Sequence, residues 1–297
     1  MECGLLDQSE RGKLALTGAD RKAFLNGQVT NDITALEPGR GCYAAFLTPK
    51  GKMLGDLRVL DAGDELLLDT ERVALQALFD LIRRFSIGHD VALHKRTVES
   101  GLLSLLGPGA RAVAGAEDLP DEEHAHVEAE LGGRAVRLIA TDAGVDVLCA
   151  APDTEAVAAA LRAAGAEPID TEQAEVLRVE RGRPRYGIDL DDSVIPQEAG
   201  LNERAVSFTK GCYVGQETVA RLFYKGKPNR HLRGIRLAEP VEPGTPLTFE
   251  GKEVGRVSSA VVSPRLGPVG LALVRREAPP GTTLDDGSAV VELPFAV

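Results

Sequence analysis

The sequence predicts an α+β protein that ends in a small β-barrel, and three observations carry that prediction. Short alternating apolar runs, the mark of half-buried strands, are interleaved with helical periodicity at 70–85 and 153–164. Strand and helix order repeats loosely across the two halves of residues 1–165, which suggests a pair of α+β sandwiches and not a parallel Rossmann sheet. Beyond Arg221 the composition shifts to short alternating runs broken by Pro and Gly, as in a barrel or sandwich of about 65 residues.

Gly12 to Leu16 reads as a strand closed by Thr17-Gly18, and Ala19 to Gln28 as a helix, with Phe24 and Leu25 helically spaced from Arg21 and Gln28. Gly41 to Leu47, Lys52 to Leu60 and Glu65 to Leu68 form a β-meander that turns at Thr48-Pro49-Lys50-Gly51 and again at Asp61 to Asp64. On its second strand Asp56 and Arg58 alternate with Leu57 and Val59 and so share a face. That pair is either a piece of a site or an ion pair in water worth little.

Thr70 to Phe85 is the strongest helix, with Thr70 as the expected N-cap and Val73, Leu75, Leu78, Phe79, Ile82 and Phe85 as its apolar stripe. Strands are expected at Asp90 to His94 and Gly101 to Leu106, a short helix at 107–113, and strands again at Ala135 to Ala140 and Val145 to Ala150. An Ala-rich helix from Asp153 to Ala164 takes Asp153 as N-cap and stops at Gly165. After a second N-cap candidate, Thr171, Ala174 to Glu180 is helical with Val176, Leu177 and Val179 inward. The stretch from Arg181 through Ile195-Pro196-Gln197-Glu198 is too rich in Gly and Pro to be regular, and such a length without structure is functional or disordered. Strands close the chain at Gly234 to Leu237, Gly255 to Val262, Val269 to Val274 and Ala289 to Leu293.

Composition narrows the function. No apolar run approaches the roughly 20 residues that cross a bilayer. Met1 to Glu10 is neither basic nor apolar enough for a leader, so a cytoplasmic protein without membrane contact is expected. The four cysteines, Cys3, Cys42, Cys149 and Cys212, are scattered without C-x-x-C spacing, so reduced thiols and no resident metal are expected. A net charge of -11, from 34 basic and 45 acidic side chains, argues against a nucleic-acid-coating protein, and no direct nucleic-acid contact is expected. A local basic run does occur, with Arg221, Lys225, Lys227, Arg230, Arg233 and Arg236 and no acid between them. It reads as a solvated linker, as a grip for an anionic ligand, or as a contact to RNA phosphates. Neither G-x-G-x-x-G nor a Walker loop is present, which disfavours a nucleotide bound in those ways.

The densest stretch is KGCYVGQETVAR, Lys210 to Arg221. Gly211 and Gly215 free the backbone on both sides of Cys212, and Lys210 would favour its thiolate. Cys212 is then a reactive or transiently ligating thiol, unless it is a small buried residue in a glycine turn. No histidine lies nearby in sequence to act as its base. Glu217 and Arg221 would pair along one face if their segment is helical.

With the preceding Ile195-Pro196-Gln197-Glu198, this stretch resembles the signature of the YgfZ family of folate-binding proteins, which includes the mitochondrial factor needed for assembling 4Fe-4S proteins. Phe24-Leu25-Asn26-Gly27-Gln28-Val29-Thr30-Asn31-Asp32, Lys50-Gly51-Lys52-Met53 and Asp56 are similar to that family's N-terminal segments, so the likeness spans nearly the whole chain. The wider superfamily includes the glycine cleavage T-protein, a tetrahydrofolate-dependent aminomethyltransferase. The resemblance implies a T-protein-like three-domain α+β fold around a central folate channel, with two interwoven domains over 1–230 and the C-terminal β-barrel over 231–297.

It implies tetrahydrofolate or a related folate as ligand, with Asp56, Arg178, Asp146, Lys210, Tyr213, Gln216, Glu217 and Arg221 as candidate binding residues. Cys212 is the reactive thiol and a transient cluster contact, and Asp56 doubles as a candidate catalytic acid. Arg178 sits in Leu177-Arg178-Val179-Glu180-Arg181-Gly182, which is similar to the T-protein stretch whose arginine helps hold folate. Two departures weaken transferase activity more than folate binding. Where the T-protein has paired aspartates this chain reads Gly55-Asp56, and where it has a glycine- and acid-rich motif the chain offers only Ala143-Gly144-Val145-Asp146. The implied partners are iron-sulfur client proteins or assembly factors, and the implied role is iron-sulfur protein assembly or repair, reaching tRNA modification through iron-sulfur enzymes. A tetrahydrofolate-dependent one-carbon transferase and a scaffold that binds neither ligand are the alternatives.

Overall fold

The computed structural model describes residues 2–295. The chain divides into two compact units, each assembled from separate stretches of sequence. The first comprises Met1–Phe46, Leu54–Thr171 and Thr209–Val214, and the second Leu47–Met53, Glu172–Phe208 and Gly215–Val297.

In chain order the first stretches supply β1 (Gly4–Asp7), β2 (Gly12–Thr17), α1 (Arg21–Gln28), β3 (Gly41–Leu47), β4 (Met53–Asp61), β5 (Leu66–Thr70), α2 (Leu75–Phe85), β6 (Ala92–Lys95), β7 (Ser100–Leu106) and α3 (Ala110–Ala114). They continue with β8 (His126–Leu131), β9 (Arg134–Thr141), β10 (Gly144–Ala150), α4 (Thr154–Ala163) and β11 (Glu167–Pro168). Two sheets result, one ordered β3-β4-β5-β2-β6 and the other β11-β1-β7-β10-β9-β8. In the second sheet β1 runs parallel to β11 and antiparallel to β7. Its core sets Leu103, Leu105, Leu138, Val145 and Val147 against Val157 and Leu161 of α4, which lie one turn apart and so face the same way.

The strands and helices fall close to the expected positions, but three caps do not. Thr70 ends β5 and is buried, and its hydroxyl donates to the Asp56 carbonyl at 2.5 Å, so α2 begins only at Leu75. Val73 therefore lies ahead of the helix and is exposed, as is Phe85, and the buried stripe narrows to Leu78, Leu81 and Ile82. Asp153 does not cap α4 with its side chain; its carboxylate meets Arg134 at 3.3 Å. Thr171 is the first residue of the next helix and not its cap. Sequence patterning also misses β1, β8 and β11; β8 and β11 sit at the two edges of their sheet, where few side chains are buried and the apolar alternation is weak.

An ion cluster ties the two sheets of this unit together. The Arg58 guanidinium on β4 donates to Asp69 of β5 and to Asp146 of β10, both at 2.7 Å, and Arg11 reaches Asp69 at 2.8 Å. Ser104 of β7 supplies a further donor to Asp146 at 2.6 Å. Arg58 is therefore not the ion partner of Asp56, although the two share a strand. Burial penalises the charged guanidinium, but Asp69 and Asp146 more than compensate and leave its pKa above the ordinary value. The gap beside this cluster has a volume of about 30 Å³, room for about one water and not for a ligand.

The second unit adds α5 (Thr171–Glu180), α6 (Asn202–Ala205), α7 (Gln216–Lys225), β12 (Arg230–Arg236), β13 (Pro246–Phe249), β14 (Lys252–Ser263), β15 (Gly267–Arg275) and β16 (Ala289–Val291). The five strands form one antiparallel sheet ordered β13-β14-β15-β12-β16 around Ile235, Leu247, Val257, Ala272 and Val290. Val179 of α5 packs against Leu232, Val269, Leu271 and Phe295. A register shift in β14 between Val257 and Ser259 breaks the strict alternation. Both Ser258 and Ser259 thereby direct their hydroxyls at one carboxylate, Asp189, at 2.6 and 2.7 Å. The irregular stretch after α5 is anchored in this way, and again where Glu198 meets Arg230 at 3.0 Å and the Met53 amide donates to the Val194 carbonyl at 2.9 Å.

Removing Arg58 leaves buried Asp146 without a cation and Asp69 with Arg11 alone. Arg58→Ala is expected to lower unfolding stability by about 3 to 5 kcal/mol. Urea denaturation of the variant measures this, and a loss under about 1 kcal/mol would show that the cluster holds nothing together.

Candidate functional site

The site is built around Lys210. Helix α1 ends at Gln28, and its last carbonyls have no intrahelical partner. No basic residue in its own last turn is available to meet them. Lys210 meets them from elsewhere in the chain, its ammonium donating to the carbonyls of Asn26 at 2.5 Å, Val29 at 2.8 Å and Asn31 at 2.7 Å. A cation at the negative end of a helix is favourably placed, and these are charge-assisted bonds. Val214 adds a second tie, its amide donating to the Gly27 carbonyl at 3.3 Å. Residues 210–214 are thus held at both ends to one helix terminus, with Gly211 and Cys212 exposed between the ties.

The same terminus is braced from its other side. The Asn26 side chain accepts from the Ile33 amide, Asn31 donates to the Tyr43 carbonyl at 2.8 Å, and Asp32 accepts from Thr34 and Ala35. Two of the segments that carry the family likeness, 24–32 and the start of 210–221, therefore meet in one substructure.

This arrangement corrects the role expected of Lys210. Its charge is turned toward the carbonyls at and beyond the end of α1, and it acts on the Cys42 thiol. Burial brings the ammonium down to about 8, still protonated at neutral pH, with Asp32 and Cys42 opposing the shift. Burial likewise pushes the Cys42 thiol up to about 12, which leaves it unreactive. Tyr213 is buried beneath the same ammonium, 5.2 Å from ring centroid to nitrogen. Cys212 remains the exposed thiol.

Asp56 lies on β4 and is buried, with its carboxylate accepting from the Tyr43 hydroxyl at 2.6 Å. Burial raises its pKa to about 6, the Tyr43 hydrogen bond pulling the other way and Glu71 adding to the rise. The neighbouring Gly55 has no room for a side chain. A Cβ there would stand 2.6 Å from the Phe46 ring and 2.7 Å from the Ala74 methyl. The position where the T-protein pattern calls for a second acid is filled by packing.

The other expected site residues are scattered. Asp146 is held in the ion cluster by Arg58 and Ser104. Arg178, in the second unit, has all three guanidinium nitrogens engaged, by Glu175, Asp189, Ser259 and the Arg183 carbonyl. Gln216 is the first residue of α7. That helix starts from Gly215 at φ 85°, where a Cβ would come within 2.6 Å of the Thr48 carbonyl oxygen. Glu217 and Arg221 do share this helix, but both are exposed and no ion pair joins them among the described residues. Sequence reasoning missed Tyr43 and Cys42. Tyr43 sits on the strand that pairs with β4, thirteen residues from Asp56, and a tyrosine on a strand adjoining a suspected acid was the available signal.

Residues 1–210 match the model for the GCVT N-terminal domain, and residues 230–291 match that for the glycine cleavage T-protein C-terminal barrel domain. The chain belongs to the glycine cleavage T-protein family. An aminomethyltransferase of Geobacillus kaustophilus is 31% identical over 296 residues, 92% of this chain and 79% of that one. A chloroplastic protein of Arabidopsis thaliana, provisionally named a transferase, is 28% identical over 306 residues, 98% of this chain and 71% of that one. The crystal structure of the glycine cleavage system aminomethyltransferase T from Bartonella henselae superposes with a TM-score of 0.87 at 23% identity, covering 99% of this chain and 86% of that one, and it establishes the shared fold. The family's architecture of an N-terminal α/β region and a curled C-terminal barrel is the one seen here. Among the described residues no helix is long and apolar enough to cross a membrane.

Two outcomes are expected from this geometry. Lys210→Met removes the ammonium from three carbonyls and should cost about 2 to 4 kcal/mol in urea denaturation, with faster amide exchange confined first to 26–33 and 209–214. Asp56 has a folded pKa of about 6 against an ordinary 3.8. Its protonated form is therefore favoured by folding, and its contribution to stability is full below about pH 4 and lost as pH rises through about 6. Asp56→Asn should remove this slope, so that the variant gains on the parent by about 2 to 3 kcal/mol between pH 4 and 7.5 in thermal melts. An unchanged slope would place the titration elsewhere.

Proposed function

We propose that the protein binds tetrahydrofolate or a related folate and supports the assembly or repair of iron-sulfur proteins, reaching tRNA modification through iron-sulfur enzymes, without itself turning over a one-carbon unit. The observation that carries this reading is the contrast between Asp56 and Gly55. Asp56 is a buried carboxylate of raised pKa. Such a group gains from a ligand with paired N–H donors, because bonds to the ionised form offset the cost of its burial. The aminopterin edge of a folate is such a ligand. At Gly55 the second acid is excluded by Phe46 and Ala74, so the transferase pattern is lost in the packing and not only in the sequence.

Cys212 is the group we assign to the iron-sulfur role. It is exposed on a loop whose two ends are fixed to α1, so the thiol is presented to a partner at little cost in ordering. In this reading residues 1–230 form the folate-binding body and 231–297 the barrel appended to it. Arg178 is saturated by its own neighbours, so the glutamate tail of the folate is not assigned to it.

A one-carbon transferase is the second reading, favoured by the aminomethyltransferase relative at 31% identity. Here Asp56 would position the reactive folate nitrogen.

Calorimetric titration with tetrahydrofolate tests the first step: saturable binding is expected, weakened at least tenfold or so in Asp56→Ala, about 1.4 kcal/mol. Formation of methylenetetrahydrofolate from aminomethylated lipoyl carrier protein separates the two readings, and turnover above background by the intact protein would decide for the transferase. Cells lacking the protein should recover a 4Fe-4S enzyme activity with the parent sequence and not with Cys212→Ala. Full rescue by that variant would remove the thiol from the mechanism.

A further inference from the structure

The C-terminal half of α7 carries exposed aromatic rings beside cations. Phe223 is 47% and Tyr224 67% exposed, an unusual placement for two large rings in sequence. Folding brings a third ring to them. Phe208, from the segment after α6, stacks on Phe223 with centroids 3.8 Å apart and planes 18° from parallel, and Tyr224 meets Phe223 edge-on at 5.0 Å. The stack fixes the orientation of Phe223, and Tyr224 is left as the most open ring of the three.

The charges follow the rings. Arg221, Tyr224 and Lys225 stand at i, i+3 and i+4 on α7 and so share a face, and Lys227 follows just beyond the helix. Arg221, Lys225 and Lys227 are all exposed, and none makes an ion pair among the described residues. The basic run does not behave alike along its length: Arg230 is tied to Glu198 at 3.0 Å and Arg233 to Glu292 at 2.9 Å. Only its first part, the part beside the rings, keeps its cations open.

We propose that this face of α7 binds a short single-stranded segment of nucleic acid. A base stacks on the exposed face of Tyr224, and Arg221, Lys225 and Lys227 meet the flanking phosphates. An acidic peptide would answer the cations but has no use for an open ring face, which is why the rings favour nucleic acid. The net charge of -11 over the whole chain opposes the approach of a long polyanion, so binding is confined to a few nucleotides and is strongly salt-dependent.

Fluorescence anisotropy of the full chain with labelled oligouridylate and oligothymidylate of about 12 nucleotides, at about 50 mM salt, tests this. Saturable binding is expected, weakened about tenfold by Tyr224→Ala, and Lys225→Gln with Lys227→Gln should lower the slope of log affinity against log salt by about 1.4. Preference for oligouridylate would assign the surface to RNA, and equal affinity would assign it to single strands of either sugar; both support the proposal. Absence of binding to either strand by the parent protein overturns it. So does binding that Tyr224→Ala leaves unchanged, or that poly-glutamate displaces as readily from the variant as from the parent, since either result marks a surface for acidic peptides. Circular dichroism confirms that each variant is folded.

Discussion

A single buried ammonium organises the part of this protein that its sequence makes most conspicuous. Lys210 is 8% exposed and meets three carbonyls at and beyond the end of α1, where the last turn of a helix leaves a concentration of negative partial charge. The cost of burying the lysine is offset by those bonds, and the ends of the helix and of the 210–214 segment become mutually dependent. Tyr213 turns inward under the ammonium while Cys212 is turned outward, so one interaction sorts the side chains of the segment into structural and available.

Strand β4 shows the same sorting on a finer scale. Its alternating polar residues are used in opposite ways. Arg58 is absorbed into a cluster that joins two sheets, whereas Asp56 faces a tyrosine, and among the described residues no cation bonds it directly. The first is a structural charge with its partners supplied by the fold. The second is a carboxylate whose burial raises its pKa to about 6, so that it ionises just below neutral pH. Beside Asp56, Gly55 leaves no room for a side chain between Phe46 and Ala74.

Much of the fold was legible because it rests on local periodicity. The meander at 41–70, the stripe of α2 and the Ala-rich α4 all announce themselves within a dozen residues. The caps failed because competing partners lie far off in sequence: Thr70 prefers the Asp56 carbonyl, and Asp153 prefers Arg134. The site suffered from the same difficulty at greater range. Nothing within reach of Lys210 in sequence announces that its partners lie 179 to 184 residues away, and local spacing pointed instead at Cys212 two positions on. Arg178 was legible as a notable arginine, but its saturation by Glu175, Asp189 and Ser259 depends on a bulge in β14 that no sequence pattern marks.

The membership of residues 209–214 in the first unit bears on how the chain is made. More than thirty residues of the second unit, Glu172–Phe208, are synthesised before the segment that finishes the first. A ribosome that has released residues 1–171 has released every strand of that unit but not the lysine that closes α1. Domains usually fold as they emerge, in order. Here the chain of the earlier unit is completed only after much of the later one has been made, and the segment bearing Cys212 is its last piece to be synthesised.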